Sequence, residues 1–179
     1  MRIGLFFFLS LCFVSCTPLK QTLQKISTIT ISYSNSVTIP KTDSLLSGYQ
    51  LVVQDIPTDI QSYANQHQTN VAWIEDIRVG DITVYIDSPL TQQFDPLQEV
   101  HVFISVPGEP EVEVAWADSI RDDVEQAIEL DLSGINLKPY LTQSHFNTRI
   151  EITTDQVIAQ ATKLRCDMKF SVQANLPGE

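Results

Sequence analysis

Apolar and polar residues alternate along most of the chain from residue 28 onward. In one run, Ile82, Val84 and Ile86 fall on one side, with Thr83 and Tyr85 on the other. A period of two places successive side chains on opposite faces of a β-strand, one face buried and the other in solvent. The pattern recurs at 29–33, 49–53, 100–106, 112–116, 128–132, 146–152 and 164–172, with a less regular candidate at 71–79.

The segments between these runs are rich in turn-forming residues. They include Ser34-Asn35-Ser36, Asp87-Ser88-Pro89, Asp95-Pro96, Pro107-Gly108-Glu109-Pro110 and Ser133-Gly134. Many short strands separated by such turns are typical of a sandwich or barrel. We therefore predict an all-β fold: one antiparallel β-sandwich domain, immunoglobulin-like or jelly-roll-like, over residues 28–176.

Short helical pieces are predicted at two places. Thr58 precedes Gln61 by three residues, the spacing of a capping box, and Ile60, Tyr63 and Ala64 then share a helical face up to about Gln66. A single turn is predicted at Leu137–Leu141. The stretch 122–127 is interpreted as a loop that enters the strand at Ile128.

The N-terminus has the parts of a secretory signal peptide. A positive start at Met1-Arg2 precedes a short apolar run, 3–14, which is too short to span a bilayer comfortably. Ser15 then stands directly before Cys16. We predict cleavage after residue 15; a retained transmembrane anchor is the alternative to cleavage.

At Cys16 the segment resembles the lipobox of bacterial lipoproteins, in which the cysteine after the cut carries a diacylglycerol. Phe13 departs from the usual leucine of that motif, and Cys12 is a rival site whose preceding Leu11 is large. An ordinary cleaved signal with a chance cysteine is the other alternative. The resemblance implies lipidation at Cys16. The polar composition of residues 17–27 predicts a tether, so residues 16–27 are interpreted as the lipidated cysteine and its link to the domain.

Charge and cysteine content agree with an exported protein. Removing residues 1–15 takes away one charged residue, Arg2, so the net charge changes from −11 to −12. Such an acidic chain is a poor nucleic-acid binder, because that affinity comes mainly from Lys and Arg on phosphates. Membrane attachment is therefore expected from the lipid.

After cleavage and lipidation, Cys166 alone remains as a free thiol. Its alternation with Leu164 and Met168 predicts burial in the core.

Residues 74–175 contain a series of strand-like stretches in a defined order, which include Ile82-Thr83-Val84, Val100-His101-Val102-Phe103-Ile104, Leu137-Lys138-Pro139-Tyr140-Leu141 and Asp167-Met168-Lys169-Phe170-Ser171-Val172. In the order and spacing of these stretches the chain resembles small all-β lipoproteins common in Bacteroidota, generally of unknown function. The resemblance implies an immunoglobulin-like sandwich and a lipoprotein. It implies no activity. Separately, we expect the lipid to anchor the chain in the outer membrane. The tether lacks an acidic run after Cys16, which favours the periplasmic face.

Residues with catalytic or metal-binding potential do not form a recognised motif. His67, His101 and His145 are far apart and are expected on the surface or at strand edges, and no G-x-S-x-G, H-E-x-x-H or C-x-x-C pattern occurs. The alternating Glu109, Glu111 and Glu113, and the stretch 118–125, are interpreted as solvated acidic faces. We predict no cofactor, no metal and no catalytic residue.

Aromatic residues are the remaining candidates for ligand binding. Trp116 shares a predicted face with Val112 and Val114, and Trp73 shares one with Val71, so both are expected in the core. Tyr85 lies on the solvent side of its strand and is the candidate ligand-binding residue. Loops at 87–96, 107–110 and 133–144 could also hold a partner.

The sequence thus favours a non-enzymatic envelope lipoprotein, a binding, assembly or structural module with an envelope protein or a glycan as partner. A surface glycan-binding protein is the more specific alternative. A hydrolase built on a β-sandwich is a third possibility, and it would require a concave pocket with converging polar groups.

Overall fold

A computed structural model of the chain describes residues 26–124 and 126–175. The predicted signal peptide, Cys12, Cys16 and most of the predicted tether lie outside these residues. The described elements are, in order, β1 (Ile26–Ile39), β2 (Tyr49–Pro57), α1 (Ile60–Gln66), a 3-10 turn (Val71–Trp73), β3 (Ile74–Ser88), β4 (Leu97–Ser105), β5 (Val112–Asp118), β6 (Ala127–Glu129), β7 (Asp131–Leu132), α2 (Lys138–Leu141), β8 (His145–Thr154) and β9 (Thr162–Asn175).

The strands form two antiparallel sheets that pack face to face. The first sheet has the order β1-β9-β3-β6, and the second has the order β2-β8-β4-β5-β7. The first and last described strands are therefore neighbours, and the chain crosses repeatedly between the sheets. This is the order of a double-sheet jelly roll with a short added strand, β7. It differs from an immunoglobulin sandwich, in which the first strand does not pair with the last.

The pairing of β1 with β9 is long and regular. It runs without a register shift from Ile26 opposite Asn175 to Ile39 opposite Thr162. The turn predicted at Ser34-Asn35-Ser36 is therefore wrong, because these residues continue the strand. Their turn propensity is overridden by the ladder to β9 and by the burial of Val37 and Ile39 beyond them.

The core lies between the inner faces of the two sheets, as alternation predicts. Its largest fully buried side chains include Phe94, Phe146, Phe170, Ile31, Ile39, Ile77, Ile82 and Ile150. Cys166 is also buried, in agreement with its place in the apolar set of β9. Burial of this apolar surface is the main stabilising contribution to such a fold.

The run at 128–132 is not the single strand that its alternation predicts. Residues 127–129 pair with β3 in the first sheet, whereas Asp131 and Leu132 pair with β5 in the second. The chain changes sheets at Leu130, which stays buried while Leu132 is exposed. Alternation alone does not report such a crossing, because both halves keep a period of two.

Both predicted helical pieces are present, but the predicted cap of α1 is wrong. Asp59 precedes the helix in a left-handed conformation, with no side-chain cap hydrogen bond. Thr58 is buried instead, and its hydroxyl donates to the Gln143 carbonyl oxygen at 2.6 Å. The link fixes α1 to the segment between α2 and β8.

Candidate functional site

A β-bulge in β5 decides which aromatic residues reach the surface of the second sheet. In the ladder between β4 and β5, Val102 pairs with Ala115 while Phe103 pairs with Glu113, so Val114 is an extra residue. An extra residue reverses the in–out alternation of the strand beyond it. Trp116 consequently leaves the face of Val114 and lies opposite His101.

The prediction that Trp116 belongs to the core is therefore wrong. Its side chain is half-buried on the outer side of the second sheet, opposite His101 and on the same face of the sheet as Phe103. We call the group His101, Phe103, Glu113, Trp116 and Arg149 the outer aromatic face. Its residues come from the adjacent strands β4, β5 and β8.

His101 is held between two carboxylates. Its Nδ1 lies 2.5 Å from a carboxylate oxygen of Glu113, and its Nε2 lies 3.4 Å from one of Asp118. A neutral imidazole has one N–H to donate, whereas a protonated ring has two. His101 is partly exposed, but β4 is an inner strand of its sheet, so His101 is not the edge histidine that was one of the two expectations. Its pairing with two carboxylates was not predicted from the sequence.

Phe103 carries the guanidinium of Arg149 on its ring, with 3.8 Å between the guanidinium carbon and the ring centroid. Arg149 also binds Glu111 through two nitrogens and contacts Glu151. The hydrogen bond to Glu111 is the main cause that raises the pKa of Arg149 above its ordinary value. The guanidinium is thus fixed as a permanent cation over the aromatic ring.

The outer aromatic face combines flat apolar rings with charged groups that accept or donate hydrogen bonds. Trp116 lies opposite His101 on one side and Asp131 of β7 on the other. The indole is therefore bordered by polar side chains. Such a combination suits a ligand that presents both an apolar surface and hydroxyl or amide groups.

Tyr85 lies on the outer side of the first sheet, as alternation predicts, and is half-buried. The guanidinium carbon of Arg165 is 4.2 Å from its ring centroid, so one face of the ring is covered. Arg165 itself contacts Asp87 and Asp167. Tyr85 also lines a shallow depression of about 490 Å³, together with Thr83, Val124 and the β6 residues Ala127–Glu129.

Trp73 is not in the core either. It ends the 3-10 turn before β3, where the period-two pattern from Val71 does not apply, and it is 41% exposed. It is thus a more exposed aromatic residue than Tyr85, which was the sequence candidate. The error has a local cause, since three residues of turn were interpreted as strand.

A second set of polar residues gathers at one end of the sandwich, where β2 and β8 meet. Asp55, Gln143, Ser144, His145 and Asn147 line a depression of ≈ 290 Å³ together with Pro107. His145 Nδ1 lies 3.1 Å from the Ser144 hydroxyl, and the Asp55 amide donates to the Asn147 side chain. Among the described contacts, no carboxylate reaches His145. The relay that a catalytic triad requires is therefore not formed here.

The acidic residues singled out in the sequence are dispersed. Glu113 and Asp118 contact His101, Glu111 contacts Arg149, and Asp123 contacts Arg121. Glu125 lies outside the described residues. Across residues 26–124 and 126–175, no three His, Cys, Asp or Glu side chains are placed to share a metal ion. His67 is exposed at the end of α1.

Phe103 and Arg149 were not singled out by the sequence, although a signal for Phe103 was present. Phe103 alternates with the buried Val102 and Ile104, so the pattern itself places a large apolar ring on the outer face. Arg149 likewise alternates with the buried Thr148 and Ile150, which places its side chain on the outer face as well. Recognising that the two face each other requires the β4–β8 register.

None of the described helices is both long enough and apolar enough to cross a membrane.

No protein family model and no curated protein matches the chain. Solved structures that resemble it include Desmodium yellow mottle tymovirus, with 10% identity, a TM-score of 0.29 and coverage of 100% of this chain and 98% of that one. Another is the semi-empty particle of Macrobrachium rosenbergii nodavirus, with 11% identity, a TM-score of 0.30 and coverage of 99% and 97%. Turnip yellow mosaic virus shows 12% identity, a TM-score of 0.26 and coverage of 86% and 98%.

Proposed function

We propose that this chain is an envelope lipoprotein, held at the outer membrane by lipid on Cys16, and that its sandwich is a non-enzymatic binding or assembly module. The lipobox-like segment before Cys16 supports the anchor. β1 begins at Ile26, ten residues beyond Cys16. A fully extended stretch of that length spans roughly 33–36 Å, so the sandwich would stay close to the membrane surface.

The outer aromatic face is the observation that supports binding as the role of the sandwich. Trp116 and Phe103 are half-buried on the outside of the second sheet, although neither is needed to fill the core. Phe103 is held by Arg149, and His101 is held by Glu113. A partner would therefore meet side chains that are already ordered, which lowers the entropic cost of association.

Metabolic labelling with an alkyne fatty acid tests the anchor. We expect the full-length chain and the Cys12→Ser variant to incorporate the label and the Cys16→Ser variant to lose it. Label retained in Cys16→Ser, or lost in Cys12→Ser, would show that the lipid is elsewhere.

Protease treatment of intact cells distinguishes the two faces of the outer membrane. We expect the domain to be protected from the protease until the outer membrane is opened.

A surface glycan-binding protein is the second candidate, and the position of Trp116 favours it. An indole beside Asp131 and His101 offers a flat apolar surface for a sugar ring with hydrogen-bonding groups next to it. We expect Trp116→Ala to abolish binding on a glycan array, while Trp73→Ala retains it. If the unaltered chain retains no glycan, the outer aromatic face is assigned to an envelope protein, to be sought by crosslinking.

A further inference from the structure

The four edges of the two sheets differ in how they are protected against further strand pairing. In the first sheet β6 has 3 residues, and in the second sheet β7 has 2. The remaining edge of the second sheet, β2, is interrupted by a register shift between Val53 and Ile56 and ends in Pro57. Short length, bulges and proline are the devices by which sheet edges avoid pairing.

β1 has none of these devices. It is a 14-residue edge strand, without a register shift along its whole pairing with β9. Its sequence, ISTITISYSNSVTI, contains no charged residue, no proline and no glycine. Among the described residues, no segment makes a backbone hydrogen bond to the side of β1 away from β9. That side is a row of N–H and C=O groups ready for another strand.

The outer side chains of β1 form a row of hydroxyl groups. Every second residue from 28 to 38 is an exposed serine or threonine: Thr28, Thr30, Ser32, Ser34, Ser36 and Thr38. The inner side chains, such as Ile29, Ile31 and Val37, are buried in the core. Only Ser34 of the outer row has a described side-chain partner, donating to Asp167 at 2.6 Å.

We propose that β1 pairs antiparallel with β1 of a second copy, joining two four-stranded sheets into one of eight. Opposite residues in an antiparallel pair share a face, so any permitted register places hydroxyl opposite hydroxyl and apolar opposite apolar. Cross-strand Ser and Thr pairs are stabilising, whereas like charges directly opposite are destabilising. A strand whose outer row is uncharged throughout is therefore complementary to itself.

The charges nearest to this edge do not oppose self-pairing. β9 places Lys163, Arg165 and Lys169 with Asp167 on the outer side of the first sheet, next to β1. In the joined sheet the two β9 strands are three strand spacings apart, about 14 Å. That exceeds the Debye length of about 8 Å at physiological salt, so repulsion between exposed charges at that distance is largely screened.

Thiol crosslinking of the full-length chain in its own membrane tests the pairing. Thr30→Cys, Ser32→Cys and Ser36→Cys are each treated with a short bismaleimide, and the unaltered chain reports the background from its own cysteines. We expect a covalent dimer at least fivefold above that background for one or two of these positions. The matched control is Gln50→Cys, which is exposed on the protected edge β2 and is expected to stay at background.

A charged residue on the same row gives an independent measurement. We expect Ser32→Lys and Thr30→Lys to shift the detergent-solubilised protein from dimer to monomer in analytical ultracentrifugation, while Gln50→Lys stays dimeric. Circular dichroism melting of each variant shows whether it is folded, and two positions are used so that one unstable variant does not decide the result. A monomeric unaltered chain, or β1 cysteines that crosslink no more than Gln50→Cys, would overturn the proposal. Crosslinking of β1 to a different protein without any dimer would also overturn it.

Discussion

Arg149 lies directly opposite Phe103 in the pairing of β8 with β4, and its guanidinium carbon is 3.8 Å from the centroid of the Phe103 ring. The contact joins two inner strands of the second sheet on their outer side. It is reinforced by Glu111 on one side of the guanidinium and Glu151 on the other. The surface of the second sheet is therefore ordered by one side chain that is mostly withdrawn from solvent.

We expect Arg149→Ala to lower the free energy of unfolding by about 0.5–1.5 kcal/mol. The contact with the ring accounts for about 0.5–1 kcal/mol, and the partly exposed carboxylates add little because solvent screens them. Urea unfolding measures the change. Phe103→Leu should make the further substitution Arg149→Ala less costly, and strictly additive losses in the double variant would contradict a direct interaction.

Thr58 and Gln61 provide a test of how α1 begins. Thr58→Val removes the buried hydrogen bond to the Gln143 carbonyl oxygen, and we expect a loss of about 1–3 kcal/mol because that acceptor is left without its partner. Gln61→Ala should change stability by less than about 0.5 kcal/mol, as is usual for surface positions without a special role. Equal losses in both variants would support the capping box predicted from the sequence instead.

Burial raises the pKa of the Cys166 thiol from its ordinary value of 9.0 to about 12, with a smaller contribution from Asp167. We expect Cys166 to resist iodoacetamide at pH 8 in the folded chain and to react once urea unfolds it. Peptide mass mapping identifies the modified residue. Rapid alkylation of Cys166 in the folded state would show that the thiol is accessible and reactive.

The same pKa shift predicts loss of stability at high pH. Above about pH 9 the unfolded chain releases the Cys166 proton while the folded chain keeps it, so the unfolded state binds fewer protons and stability falls as pH rises. One such group contributes a slope of up to about 1.4 kcal/mol per pH unit. Burial also raises the pKa of Tyr33, which adds to the loss above its ordinary value of 10.0. Urea unfolding at several pH values from 8 to 10 measures the effect. The free energy of unfolding should fall less steeply with pH in Cys166→Ala than in the unaltered chain.

The two tryptophans give a direct optical test of the bulge in β5. In single-tryptophan variants, Trp116→Phe and Trp73→Phe, we expect acrylamide to quench the remaining indole of the folded chain in both cases. Trp73, which is 41% exposed, should be quenched more strongly than Trp116. A blue-shifted, unquenched Trp116 would mean that β5 keeps its alternation and that Trp116 packs in the core.

The all-β class, the two helical turns and the burial of Cys166 could be predicted because each depends on a local pattern. The order of the strands could not, since the pairing of β1 with β9 joins residues more than a hundred positions apart. The places of Trp116 and Leu132 were missed for a related reason. A single extra residue at Val114, or a change of sheet at Leu130, alters which face a side chain occupies without disturbing the alternation around it.

The position of β9 between β1 and β3 also determines when this fold can be completed. β9 contains the last 14 described residues, and both β1 and β3 depend on it for their ladders. At a synthesis rate of about 5–20 residues per second, residues 26–39 wait roughly 7–30 s for their partner strand to be made. During that interval an uncharged stretch of high β-propensity is exposed in the growing polypeptide. Nascent-chain handling, as much as final stability, is therefore expected to limit the yield of this protein.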